Sequence, residues 1–315
     1  MREGHNKRIF AFITDRCANA CKYCFVYDGK PVIEDMTREG FEKLCLEGKG
    51  KFGYLTFIGG EPLLHPDLYG LMEIALSHGY KISISTSGIT KYGEQTDRIF
   101  SLPIDDVTVS LDSHDEKTND TLRGKGSYRR ALDTAKYLIE RGIPVRFTAT
   151  VCTYNKDHLP KLAELVRSIG AEQLDVHVMS KKGRAEGCDE LELSPHEWLR
   201  IRRALDNTRF PAPFHISYPL MWYEGEELDE VCDYCDAEEG HRLSVMSNYD
   251  CYYCTISIGF DEMKVPLSQD PTEKGPTLYK KDGNLCLTER LIATNEEGLK
   301  YVCRFVKRRT GFTDN

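Results

Sequence analysis

Three cysteines, Cys17, Cys21 and Cys24, fall in the stretch RCANACKYCF, residues 16 to 25. Thiolates clustered in this way are ligands for soft metals and for iron–sulfur clusters. A structural zinc ion takes four ligands, so this set alone is one donor short. An iron–sulfur cube held by three thiolates leaves one iron without a protein ligand, free to bind a substrate or cofactor. On spacing alone the stretch also suits three buried thiols. Compartment bears on the choice. The first residues, MREGHNKRIF, hold no apolar stretch suited to a signal peptide, and no uncharged run approaches the roughly 18 apolar residues of a membrane span. A cytoplasmic protein with no membrane association is therefore expected. Thiols are kept reduced there, so the chain's twelve cysteines read as metal ligands or reactive thiols rather than disulfides. A net charge of -8 argues against a broad nucleic-acid footprint, and the basic run Lys307, Arg308, Arg309 reads as a solvated helix end.

The elements that would position this loop repeat with a clear rhythm. Short β-branched or aromatic runs, RIFAFIT (8–14), YLTFIGG (54–60), KISISTS (81–87), DVTVSLD (106–112), PVRFTATV (144–151) and LDVHVM (174–179), alternate with amphipathic stretches at 37–47, 66–77, 128–141 and 157–168. Strand–helix–strand connections of this length favour a parallel sheet. Six such units make an α/β fold, either a doubly wound sheet or a partial (β/α)6 TIM barrel, with chemistry at the carboxyl ends of the strands. The cysteine loop starts at the end of the first run. After about residue 185 the rhythm stops. Ser194, Pro195 and Glu197 form a capping-box start for one more helix, to Asn207, followed by PAPFHISYP (211–219), an acidic stretch EGEELDE (224–230) and a tail with six cysteines. The expected organisation is a barrel core over 1–190, a connecting helix and linker over 191–230, and a cysteine-rich unit over 231–315.

Further motifs fall at successive strand ends. GGEPLLHPD (59–67) follows the second run, STSG (85–88) ends the third, VSLD (109–112) ends the fourth, and TLRG carries Arg123. With CxxxCxxC and Tyr23 before its last cysteine, the sequence resembles the radical S-adenosylmethionine (SAM) superfamily over about residues 8 to 185. The resemblance implies a 4Fe–4S cluster on Cys17, Cys21 and Cys24 whose open iron chelates SAM. It further implies that Tyr23, Gly59, Gly60, Glu61, Ser85, Ser87, Ser110, Asp112 and Arg123 bind that cofactor. Glycines let backbone approach a ligand closely, a carboxylate pairs with an ammonium, and a guanidinium takes a carboxylate bidentately. Each motif also has a plainer reading: a glycine turn before a helix start at Pro62, or a surface arginine in a loop.

In the tail, Cys232, Cys235, Cys251 and Cys254 form C-x2-C-x15-C-x2-C, a spacing that suits structural zinc. The stretch from Cys235 to Cys254 is also similar to the SPASM and twitch extensions of radical SAM enzymes, except that Tyr249 stands where glycine normally supplies a positive φ. That resemblance implies one auxiliary 4Fe–4S cluster on Cys232, Cys235, Cys254 and either Cys286 or Cys303, and leaves Cys251 a buried thiol on a hairpin strand. Cys45 reads as packing in the first helix. Cys152 ends the fifth strand run, either as a core thiol or as one facing the cavity and able to give a hydrogen atom to a substrate radical. Cys188 lies on a loop with no assigned role.

The function expected from the resemblance is reductive cleavage of SAM to a 5′-deoxyadenosyl radical, which takes a hydrogen atom from a ribosomally made peptide. A sugar or aminocyclitol oxidoreductase or epimerase is the alternative, and a non-catalytic metal-binding module the third. A flavodoxin or ferredoxin reductant and a separate leader-peptide recognition protein would be partners.

Overall fold

The alternation that marks the strands in sequence decides which side of the sheet is covered. In the computed structural model, the strand Val145–Val151 buries Val145, Phe147, Ala149 and Val151 on one face, while Arg146, Thr148 and Thr150 are only half-buried on the other. Helices lie over the first face. The second lines an open, polar lumen, as in a partial barrel rather than a sheet covered on both sides. The structure describes residues 7–26, 34–180, 182–219, 221–223 and 241–253, with short pieces beyond.

Seven strands run parallel: β1 (Arg8–Phe12), β2 (Tyr54–Ile58), β3 (Lys81–Thr86), β4 (Ile104–Ser110), β5 (Val145–Val151), β6 (Gln173–Val178) and β7 (His215–Pro219). Between them lie α1 (Arg38–Gly48), α2 (Leu68–Ser77), α3 (Glu94–Ile99), α4 (Glu116–Arg123), α5 (Ser127–Ile139), α6 (Leu159–Ile169) and α7 (Pro195–Asp206). The apolar faces follow the helical period. α6 buries Leu159, Leu162, Ala163 and Val166, and α1 buries Phe41, Leu44, Cys45 and Gly48, each set spaced i, i+3, i+4, i+7. Every buried leucine of this kind contributes roughly 1.5–3 kcal/mol. At the amino ends of the strands, the Arg8 guanidinium donates to Thr56 Oγ1 (2.9 Å) and Ser83 Oγ (3.0 Å), and Arg146 pairs with Asp106. These charged groups close the bottom of the lumen and leave the carboxyl ends for chemistry.

The sheet extends past residue 190. β7 comes from the segment HISYP and joins β6 in parallel, although three prolines in 211–219 and a length of five residues hide it in the sequence. After β8 (Trp222–Tyr223), β9 (Arg242–Val245) joins β1 in parallel at the other edge and turns back into β10 (Cys251–Tyr252). Short pairs follow, β11 (Lys280–Lys281) with β12 (Asn284–Leu285) and β13 (Ala293–Thr294) with β14 (Lys300–Tyr301), the last also pairing β8. β15 (Lys307–Thr310) pairs antiparallel with β7, completing a ten-stranded sheet in the order β10-β9-β1-β2-β3-β4-β5-β6-β7-β15. Thus Lys307, Arg308 and Arg309 occupy a strand, not a helix end: the pairing partner is some ninety residues away, and local pattern carries no trace of it. No helix among the described residues is long and apolar enough to cross a membrane.

The β9–β10 turn forms despite having tyrosine in place of glycine. Tyr249 adopts φ 66°, a left-handed conformation that costs a non-glycine residue roughly 1–2 kcal/mol.

α7 shows the expected capping box, Ser194 and Glu197 exchanging bonds. A hydrogen bond from Lys156, then the Ser194 amide, holds the Glu197 carboxyl down at about 2. Its folded value lies below the unfolded one, so the stabilisation is present above the ordinary carboxylate range and is lost as pH falls towards 2. Glu197→Ala should therefore cost about 1 kcal/mol at pH 7, since the pair is partly solvated, and the gap in thermal midpoint from wild type should close on acidification. A gap that stays constant down to pH 2 would show that the carboxylate is not its source.

Candidate functional site

The loop from Thr14 to Phe25 leaves β1 at the carboxyl rim of the sheet and is held mainly by backbone. Gly60 N donates to Thr14 O (2.8 Å) and Glu61 N to Arg16 O (2.6 Å), so the turn after β2 grips the loop. Only glycine fits at both grip points. Gly59 has φ 144°, and a Cβ there would stand 2.5 Å from Thr14 O; one at Gly60 would strike the Arg16 carbonyl and sit 2.9 Å from Asp15 O. The close approach these glycines serve is to the cysteine loop itself. On the far side, Lys22 N donates to Leu122 O (2.9 Å), Cys21 Sγ contacts Arg123 O (3.9 Å), and Arg184 N donates to Cys24 O (3.0 Å). Arg130 bonds Asn19 Oδ1. Segments after β1, β2, α4 and β6 therefore converge on one loop.

Cys17 is exposed and Cys21 and Cys24 are half-buried. Burial pushes the Cys21 thiol up to about 11 against the pull of Arg123, and burial likewise raises Cys17. The negative forms of Cys17 and Cys24 add to the rise at Cys21, so the Cys21 thiolate forms beside them only where a cation compensates it. Among the described residues, no three His, Cys, Asp or Glu side chains converge to hold a single metal ion. A purely thiol set spread along one loop fits an iron–sulfur cluster, which spans more space than an ion, better than it fits zinc. Two buried polar atoms of the same loop, Asn19 Nδ2 and Tyr23 Oη, lack a hydrogen-bond partner, as at a site shaped for a further group.

The other rim residues divide into two buried networks. Glu61 is fully buried at the end of β2 and accepts from Leu63 N (3.2 Å), Thr86 Oγ1 (2.7 Å), Ser87 N (2.7 Å) and Ser87 Oγ (2.6 Å). Burial pushes its carboxyl up, and these four donors oppose the shift by holding the charged form. Asp112, just past β4, takes a bidentate ion pair from Arg123 at 2.6 and 3.2 Å and also accepts from Thr150 N at 2.8 Å. Arg123 ends α4; it is neither a loop residue nor exposed, and its guanidinium lies 5.9 Å from the Tyr23 ring centroid. Ser85 and Ser110 are half-buried on the lumen face of β3 and β4.

Cys152 is fully buried just past β5, and burial pushes its thiol up to about 11. It shares a small apolar cluster with Tyr23, Leu122, Met179, Ala185 and Leu191, against which Cys21 and Cys188 pack. Cys251 is buried in the main core at the start of β10, its Sγ 3.4 Å from Tyr249 O. Cys232, Cys235, Cys254, Cys286 and Cys303 lie outside the described residues. Asn19, Arg130, Cys188 and Arg184 join the site without a sequence signal, and Thr86 joins it from within STSG although it was not singled out there. Thr86 was hidden because consecutive strand residues are expected to point apart, whereas at the strand end both Thr86 and Ser87 reach Glu61.

Comparisons with known proteins agree with this geometry. The chain is 30% identical over 203 residues to pre-heme d1 synthase of Dinoroseobacter shibae, covering 62% of this chain and 50% of that protein. It is 27% identical over 229 residues to the sporulation killing factor maturation protein SkfB of Bacillus subtilis, covering 71% and 54%. The chain thus spans about half the length of these curated relatives. Its fold is similar to that of Streptococcus suis SuiB bound to S-adenosylmethionine, at a TM-score of 0.65 and 19% identity over 88% of this chain and 66% of that one. Residues 12–166, which hold the cysteine loop, the glycine grip and both buried networks, match the family described as the Radical SAM superfamily, so this stretch of the chain is a radical SAM domain.

Proposed function

We propose that the chain is a radical SAM enzyme that reductively cleaves S-adenosylmethionine and uses the 5′-deoxyadenosyl radical to abstract a hydrogen atom from a ribosomally made peptide. The observation that carries this reading is a three-thiol loop, with no fourth donor beside it among the described residues, gripped at the carboxyl rim of a partial barrel. Cys17, Cys21 and Cys24 would hold a 4Fe–4S cluster, which supplies the electron and the open iron for SAM. The chain's own residues do the rest. Gly59 and Gly60 fix the loop, Thr86 and Ser87 orient the buried Glu61 carboxyl, and Arg123, paired with Asp112, places its guanidinium near Cys21 and Tyr23. Ser85, Ser87 and Ser110 offer hydroxyls from the rim, and the polar lumen receives substrate. The 30% identity over 183 residues to a PqqA peptide cyclase of Ruegeria pomeroyi supports the peptide class; pre-heme d1 synthase keeps a small-molecule substrate as the second reading.

The residues from 231 onward would form a twitch- or SPASM-like unit in which Cys232, Cys235, Cys254 and either Cys286 or Cys303 hold one auxiliary cluster, with zinc as the competing occupant. A flavodoxin or ferredoxin would supply electrons, and a separate protein would recognise the leader peptide. The test is anaerobic reconstitution, reduction and incubation with SAM. Formation of 5′-deoxyadenosine is expected, together with roughly seven to eight irons per chain for two cubes. About four irons and one zinc would assign zinc to the tail, and no 5′-deoxyadenosine with any candidate peptide or tetrapyrrole would defeat the enzymatic reading.

A further inference from the structure

Tyr249 holds a strained backbone where glycine would be relaxed, and its side chain makes a contact that no smaller residue could. The β9–β10 turn is closed by Tyr249 N donating to Met246 O (2.8 Å) and Met246 N donating to Asp250 O (2.9 Å), with Tyr249 at φ 66°. From this position the ring lies against Gly40 in the first turn of α1. A Cβ at Gly40 would overlap the phenol oxygen and its carbon and come within 2.8 Å of Cε1, so the seat exists only because residue 40 has no side chain. The phenol oxygen accepts from Thr37 N (3.0 Å), and Thr37 is itself the cap of α1, its hydroxyl accepting from Gly40 N (3.1 Å).

The segment entering that cap is pinned to the cysteine loop. Met36 N donates to Ile13 O (2.8 Å), Thr14 Oγ1 donates to Asp35 Oδ1 (2.5 Å), and Arg16 pairs with Asp35 at 2.9 Å. Contacts therefore run without a break from the hairpin turn to the residue before Cys17. Cys251 begins the returning strand, and the cysteine-rich segment continues from it.

We infer that Tyr249 is a positioning residue: seated on Gly40 and the Thr37 cap, it fixes the β9–β10 hairpin, from which the C-terminal cysteine sequence continues, against the three-cysteine loop. This rests on the reading of the C-terminal cysteines as metal ligands. The chain keeps a strained residue in the turn because the seat, rather than the turn, needs it.

The test uses the full-length chain with Gly40→Ala, Tyr249→Gly, Tyr249→Phe and the Gly40→Ala/Tyr249→Gly double variant. Hydrogen exchange of the hairpin amides is measured on each, together with iron and zinc content. Tyr249→Gly relaxes the turn, so a turn-only role predicts equal or slower exchange at 246–252. The inference predicts exchange about tenfold faster, within the range that coupling between two packed residues produces. Gly40→Ala should do the same in the wild-type background and nothing further in Tyr249→Gly, where no ring remains to be displaced. Tyr249→Phe, which keeps the ring and loses the hydroxyl, should fall between. Metal bound by the C-terminal cysteines should drop in the single variants, while iron on Cys17, Cys21 and Cys24 stays. Gly40→Ala acting equally in both backgrounds, or loss of both metal pools together, would overturn the inference. A wild-type chain with only about four irons and no zinc would instead sink the ligand reading, and the exchange cycle would still decide the role of the seat.

Discussion

Replacing Cys21 by alanine is expected to reduce 5′-deoxyadenosine formation to background and leave the fold intact. The thiol sits half-buried between the carbonyl of Arg123 and the apolar cluster of Tyr23, Leu122 and Cys152, so a methyl group is tolerated there. The loop keeps its grip through Gly60, Glu61 and Lys22, because all three bonds are made by backbone. What is lost is one of three donors, with no spare side chain in the loop. Cys188 packs against the same cluster, but its Sγ is engaged with Arg184 O at 3.3 Å. The same result is expected for Cys17→Ala and Cys24→Ala. Iron content and circular dichroism measured together separate loss of the cluster from loss of the fold. Full activity in any one of the three variants would defeat the assignment.

The second large effect concerns the buried pair. Arg123→Met would leave the fully buried Asp112 carboxylate with the Thr150 backbone N–H as its remaining donor among the described residues. Removing one partner of a buried ion pair costs about 3–5 kcal/mol, out of a total stability of roughly 5–15 kcal/mol. The thermal midpoint should fall by about 10 °C. The loss also has a sign in pH. Burial pushes the Asp112 carboxyl above the usual carboxylate range, with Arg123 pulling the other way. A raised folded value means that the native state binds more protons than the unfolded one, so stability declines as pH climbs towards that value. Without Arg123 its opposing pull is gone and the folded value rises further, so the decline continues to higher pH. The midpoint gap between variant and wild type should therefore be wider at pH 8 than at pH 5. A gap independent of pH would mean that the destabilisation is a packing defect and not an uncompensated charge.

Much of the barrel was legible because its strands carry the period-two signal strongly, as in β5, where the buried and half-buried residues alternate without exception. The motifs at the strand ends were legible for a related reason: chemistry at the rim needs particular residue types, and GGE, STSG and VSLD supply them in strand order. What was not legible depends on partners distant in the chain. β7 and β9 are recognisable only through β6 and β1, beside which they lie. The fate of Arg123 turned on Asp112 and on the short helix α4, EKTNDTLR, whose single apolar residue, Leu122, leaves no apolar period to read. Tyr249 looked like a departure that weakened the hairpin. Its compensation lies more than two hundred residues earlier, at Gly40, and no local reading connects the two.

The glycine grip on the cysteine loop has a consequence for how the protein can change over generations. Because carbonyls and amides do the holding, placement of the thiols is indifferent to which side chains occupy Ala18 and Ala20, both of which face outward. Substitution can accumulate between the ligands, where a new partner or substrate would meet the surface, while two missing β-carbons keep the metal-binding frame in register.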